Sequence, residues 1–135
     1  MDKVQFNAII FTVGFIACGM VWFGIRLSYG EFRIPDTYSL FFYLMLVPTA
    51  EEMFYRGVLQ SYLKKKTDYK ILGITLANVA VSVIFALSHV PVWGVMHSAL
   101  VFIPSLVFGF MFDRTGKIIY PLIIHSVYNM NVFIV

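Results

Sequence analysis

Charged side chains are scarce in this chain: 13% of its 135 residues are Asp, Glu, Lys or Arg, about half the share found in soluble domains. So few charges cannot cover a water-facing surface, and a soluble globular domain is excluded. Cysteine occurs once, so no disulfide can close within the chain. Cys18 lies in an apolar run and reads as a small packing residue, the usual behaviour of a buried free cysteine. Internal repeats, low-complexity tracts and nucleic-acid-binding modules are also missing, and no nucleic-acid partner is implied.

What is present instead is apolar. Hydrophobic residues make up 60% of the chain and the mean hydropathy is +0.83, which places it in the lipid bilayer. At about 20 residues per crossing, 135 residues hold about five spans. The expected fold is therefore all-α: one polytopic transmembrane bundle covering residues 1–135, an integral, multi-pass protein. In the bilayer core each backbone polar group must be satisfied within its own segment, so spanning runs should be helices.

Five apolar runs are visible. The first, Phe6 to Ile25, ends at Arg26. Phe15-Ile16-Ala17-Cys18 has some likeness to a lipoprotein cleavage site, but the only base ahead of the run is Lys3, beside Asp2, so the run is expected to stay in place as a helix. A polar loop with Gly30 and Pro35 follows. The second run, Thr37 to Leu63, contains Pro48, which should kink it. The third, Ile71 to His89, precedes a turn from Pro91 to Gly94. The fourth runs from Val95 to Phe112, and the fifth from Ile118 to Val135.

Alternation of these runs sorts the basic residues. Lys3, Lys64, Lys65, Lys66, Lys70, Arg114 and Lys117 fall on one side, Arg26 and Arg33 on the other. By the positive-inside rule the richer side and the N-terminus are cytoplasmic, and Trp22 and Trp93 sit near the outer interface. If the source is bacterial, the location is the cell membrane.

Against this background the second run carries three charges, Glu51, Glu52 and Arg56. At the centre of a membrane helix each costs roughly 2.5 to 3.5 kcal/mol on insertion scales, so the trio needs a reason. Helical spacing gives one. Thr49, Glu52, Arg56 and Gln60 share one face, as do Asn78, Ser82, Phe85 and His89 in the third run, while His125 and Asn129 stand four apart in the fifth. Ser98, Phe102, Ser105 and Gly109 form a small-residue face suited to close packing. Polar faces in a membrane turn toward one another, which predicts an interior lined by Glu51, Glu52, Arg56, His89, His125 and Asn129.

Carboxylates and imidazoles in low-dielectric surroundings are suited to acid–base work near neutrality. A histidine with an asparagine can stabilise the oxygen that turns negative when a carbonyl is attacked. The i, i+4 spacing pairs Glu52 with Arg56 and leaves Glu51 as the reactive carboxylate.

Glu51-Glu52-x-x-x-Arg56, Phe85-x-x-x-His89 and His125-x-x-x-Asn129, in that order, resemble the three-part signature of the type II CAAX prenyl protease and bacteriocin-processing family, also called the Abi family. Gly57 after the arginine and the Gly109 to Gly116 segment agree with it. The likeness covers a catalytic core of about residues 37–131. It implies an intramembrane endopeptidase without a cofactor, in which Glu51 activates water, His89 is its partner, and His125 with Asn129 stabilises the oxyanion, supported by Glu52 and Arg56. The substrate would be a peptide or a prenylated protein. Family members continue with more helices, whereas this sequence stops six residues after Asn129, so lipid, a second copy or a partner membrane chain is expected to complete the pocket.

Plainer readings stand beside this one. Glu52 with Arg56 can be a structural ion pair, His89 an interfacial residue, and His125 with Asn129 a pair that ties helices together. Glu51, His89 and His125 also make a donor set of zinc type, but no Cys and no His-x-x-x-His supports it. A non-catalytic binding or immunity protein on the same scaffold is the alternative to an enzyme. A proton-coupled carrier is disfavoured, because no inverted repeat is visible.

Overall fold

One glycine folds the longest helix back on itself. In the computed structural model, which describes residues 3–135 apart from the side chain of residue 4, the stretch Leu76–Thr115 is helical except at Gly94, with φ 76° and ψ 171°. That combination is open in practice to glycine alone. The two arms, α3 (76–93) and α4 (95–115), run antiparallel. Asn78 Nδ2 donates to Leu106 O at 2.9 Å and Thr75 Oγ1 donates to Asp113 Oδ2 at 2.6 Å. A side chain at Gly109 would collide with the Asn78 amide and would meet Gln60 Oε1 at 2.8 Å, so glycine is what lets these arms and the preceding helix approach.

Ahead of this hairpin lie α1 (Lys3–Tyr29) and α2 (37–64), and after it α5 (Ile119–Asn129), which runs into a 3₁₀ turn, Met130–Phe133. The described residues are 83% helical. Among them two helices are long and apolar enough to cross a membrane, Gln5–Tyr29 with mean hydropathy 2.2 and Leu76–Thr115 with 1.9. The second of these is the one folded in two. The α2 rod carries the three charges and α5 is short, so the five spans expected from hydropathy are not all reproduced as uninterrupted apolar helices.

Two boundaries differ from expectation for local reasons. The third run was expected to be helical from Ile71, but Lys70–Ile71 and Ile74–Thr75 pair as a two-residue antiparallel hairpin around Leu72 and Gly73, at φ 51° and 84°. Helix α3 starts only where Thr75 caps it, its Oγ1 accepting from Asn78 N at 3.1 Å. The fifth run ends early as a helix because 133–135 pairs with 31–33: Glu31 N donates to Val135 O at 3.0 Å and Arg33 N to Phe133 O at 2.9 Å. Arg26 adds a bond to Ile134 O at 2.9 Å. At the start of α2, Asp36 accepts from Ser39 N and Oγ, and these bonds hold its carboxyl below the usual range.

The core joins α1, α4 and α5 through Ala8, Phe108, Met111 and Ile124. Outward-facing Ile10, Val21, Leu87 and Ile103 stay exposed, as lipid-facing side chains would. Lys64 pairs with Asp113 at 2.8 Å, and Gln5 and Ala8 lie near Thr115 and Lys117. These contacts gather the start of α1, the 64–75 connection and residues 113–117 at one end of the bundle; Arg26, the 30–36 segment and the Gly94 bend occupy the other.

Candidate active site

Helix α2 is not a plain α-helix. It contains π-helical turns at Phe42–Leu46 and Met53–Gln60, a form concentrated at functional sites. In a pure α-helix each four-residue step overshoots a full turn by about 40°, so a stripe at i, i+4, i+8 drifts around the rod. The wider π turns hold Glu52, Arg56 and Gln60 on one inward face, where all three are fully buried.

Pro48 sits between the two π turns and supplies no backbone N–H. In a π register that donor would serve Tyr43 O, and in an α register Leu44 O. Both carbonyls are served instead by α5. Asn129 Nδ2 donates to Tyr43 O at 3.0 Å, and Ser126 Oγ donates to Leu44 O at 2.7 Å. The proline break and the polar face of α5 are thus two halves of one contact. Ser126→Ala should lower stability by about 1 to 3 kcal/mol, the range for a buried group left unpaired, read as a lower thermal midpoint in detergent. An unchanged midpoint would remove Ser126 from this contact.

The charges meet around His125. Its Nδ1 is 2.8 Å from Glu52 Oε1 and its Nε2 is 3.4 Å from Glu51 Oε2. Glu52 Oε2 accepts from Arg56 Nε at 3.1 Å. Arg56 Nη2 reaches Ser105 Oγ at 2.8 Å and Ser105 O at 3.2 Å, and its guanidinium lies 5.5 and 5.9 Å from the ring centroids of Phe85 and Phe108. The imidazole stacks on Phe108 at 4.6 Å and meets Phe85 edge-on at 5.8 Å. Since Glu52 is paired with Arg56, it is the ionised acceptor, and His125 Nδ1 carries the proton between them. The other ring nitrogen, Nε2, faces Glu51 Oε2.

His89 stands beside this group, its ring 4.5 Å from Phe85. Its Nδ1 is 2.7 Å from Phe85 O; a carbonyl only accepts, so Nδ1 is the donor in this contact. Glu51 lies within electrostatic range of both histidines. The structure therefore brings Glu51, Glu52, Arg56 and His125 into direct contact, sets His89 next to them across Phe85, and turns the Asn129 amide to α2. The sequence pairs Glu51 with His89 and His125 with Asn129; in the structure the ring nitrogen beside Glu51 is Nε2 of His125, at 3.4 Å. Ser105, Phe108 and Ser126 were not singled out as partners, because nothing in spacing says which small or aromatic residue a buried arginine or imidazole will touch. Among the described residues no three His, Cys, Asp or Glu side chains are grouped so as to hold a metal ion.

The side chains of Glu52 and Arg56 are fully buried and that of His125 nearly so, whereas Glu51 is 27% exposed. Of these four side chains Glu51 is the most exposed.

A mostly helical fold with two helices apolar enough to cross a membrane is consistent with an integral membrane protein, and it encloses a buried carboxylate–imidazole–guanidinium cluster. A family model described as type II CAAX prenyl endopeptidase Rce1-like matches residues 33–131, and the chain belongs to that family. Membership implies a peptide hydrolase of CAAX type. No curated protein and no solved structure matches the chain.

Proposed function

We propose that this protein is an intramembrane endopeptidase that hydrolyses a peptide bond near the membrane, with Glu51 as the base that activates water. The observation that carries the reading is the asymmetry of the two glutamates. Glu52 is sealed between Arg56 and His125, while Glu51 is partly exposed and touches a histidine nitrogen at 3.4 Å. Glu51 takes a proton from the attacking water. His125, held in one tautomer by Glu52, relays that proton toward the leaving amine. The His89 ring orients the water through Nε2, and the second Nδ2 hydrogen of Asn129, the one not given to Tyr43, is directed to the oxyanion. Asn129→Ala should combine a stability loss like that of Ser126→Ala with a rate loss of about 100- to 1,000-fold, measured as turnover per folded molecule; full turnover would leave the asparagine a purely structural role.

The substrate class is a peptide or a prenylated protein C-terminus. Incubating purified protein with prenylated and unprenylated peptides and identifying the products by mass spectrometry tests it. Cleavage of the prenylated set supports the reading, and failure to cut any peptide in the panel favours a binding protein on the same scaffold.

In the membrane we place five crossings, α1 to α5, with the N-terminus and the lysine-rich end in the cytoplasm. A cysteine placed at Lys65 should resist an impermeant thiol reagent in intact cells. Labelling there without permeabilisation would invert the orientation.

A further inference from the structure

At the basic end of the bundle, away from the Glu51 cluster, lies a cavity of about 340 Å³ lined by Lys64, Thr67, Asp68, Lys70, Gly73, Thr75, Asp113 and Arg114. Its lining carries three basic side chains, Lys64, Lys70 and Arg114, against two acidic ones, Asp68 and Asp113, a net charge of +1. Asp113 is taken up twice, by Lys64 Nζ at 2.8 Å and by Thr75 Oγ1 at 2.6 Å. Lys70 and Arg114 have no carboxylate partner among the described residues. Arg114 is instead laid over the Phe110 ring at 4.9 Å, which holds its guanidinium in place.

The wall of the cavity is the hairpin 70–75, and its tip is apolar. Leu72 is 99% exposed and sits at φ 51°, a left-handed conformation unusual for a branched side chain. Tyr69 and Ile71 beside it are exposed as well. A fully exposed leucine next to a tyrosine, flanked by Lys65, Lys66 and Lys70, is the composition of a segment lying at the membrane–water boundary. Basic pockets between helices on the cytoplasmic side suit phosphate-bearing headgroups.

We propose that this cavity binds the phosphate of an anionic phospholipid, with Lys70 and Arg114 as its cationic contacts, Lys64 positioned by Asp113, and the Leu72 tip seated among the lipid chains at the interface. The inference rests on the membrane placement given above and not on the peptidase chemistry.

The test uses the full chain in nanodiscs of phosphatidylcholine doped with phosphatidylglycerol, with retained lipid read by native mass spectrometry. Wild type should retain phosphatidylglycerol in preference to phosphatidylcholine, and Lys70→Gln with Arg114→Gln should reduce that retention by roughly 100-fold or more, from the loss of two charge-assisted hydrogen bonds to the phosphate. Lys65→Gln with Lys66→Gln removes the same charge from the same connection without touching the lining, and should cost much less. Arg114→Lys serves as the conservative variant should the double replacement misfold, and should keep most of the preference. Equal losses in the two double variants would reduce the effect to diffuse surface charge and overturn the site. Displacement of the lipid by inorganic phosphate at equal concentration would reassign the cavity to a soluble anion. Peptide cleavage is not read in this experiment, so loss of the lipid site and loss of the peptidase reading are separate results.

Discussion

Glu51→Gln should abolish most peptide cleavage while leaving the protein folded. Glutamine keeps the shape of the side chain but removes its basic oxygen, and a general base is worth about 100- to 10,000-fold, or about 2.7 to 5.5 kcal/mol of barrier. Little in the fold depends on this carboxylate. Its one close polar contact is His125 Nε2 at 3.4 Å, and it is 27% exposed, so the stability change should stay within about 1 kcal/mol. Single-turnover cleavage of a prenylated peptide, followed by mass spectrometry alongside a thermal melt, separates the two effects. A chelator arm belongs in the same experiment. Activity that survives Glu51→Gln, or that vanishes with chelator and returns with zinc, would defeat the glutamate mechanism.

How far these residues could be read from the sequence depends on what each contact requires. The Glu52–Arg56 pair follows from i, i+4 spacing alone, and it forms at 3.1 Å. The inward stripes of α2 and α3 follow from periodicity together with the cost of polar groups in lipid. The turn at Gly94 was marked by Pro91 and Gly94, although the helix runs on through the proline. Contacts set by non-local geometry were not legible. That His125 lies between both glutamates depends on the depth at which α5 docks, and this depth is fixed by Ser126 and Asn129 meeting the carbonyls around Pro48. The π turns that expose those carbonyls have no signature in composition. The hairpin 70–75 was absorbed into an apolar run because Ile71, Ile74 and Leu76 suit a strand or a buried helix equally well over so short a window.

Glu52→Gln should act in the opposite sense to Glu51→Gln, with its main effect on stability. Glu52 and Arg56 are both fully buried, and removing one member of a buried ion pair costs about 3 to 5 kcal/mol because the other is left charged in a low-dielectric site. Here the remaining guanidinium would keep Ser105 and the faces of Phe85 and Phe108. Its Nη1, already without a hydrogen-bond partner, would gain none. The same change replaces the charged, acceptor-only partner of His125 Nδ1 with a neutral amide that can also donate and so no longer fixes the tautomer, so turnover per folded molecule should also fall. Lower yield and a lower unfolding midpoint in detergent are the expected readouts. Adding Arg56→Met to Glu52→Gln removes the orphaned charge, and the double variant should regain a substantial part of the lost stability. That recovery identifies the defect as an unpaired charge rather than poor packing. A Glu52→Gln protein as stable as wild type but inactive would exchange the roles of the two glutamates and make the buried one the base.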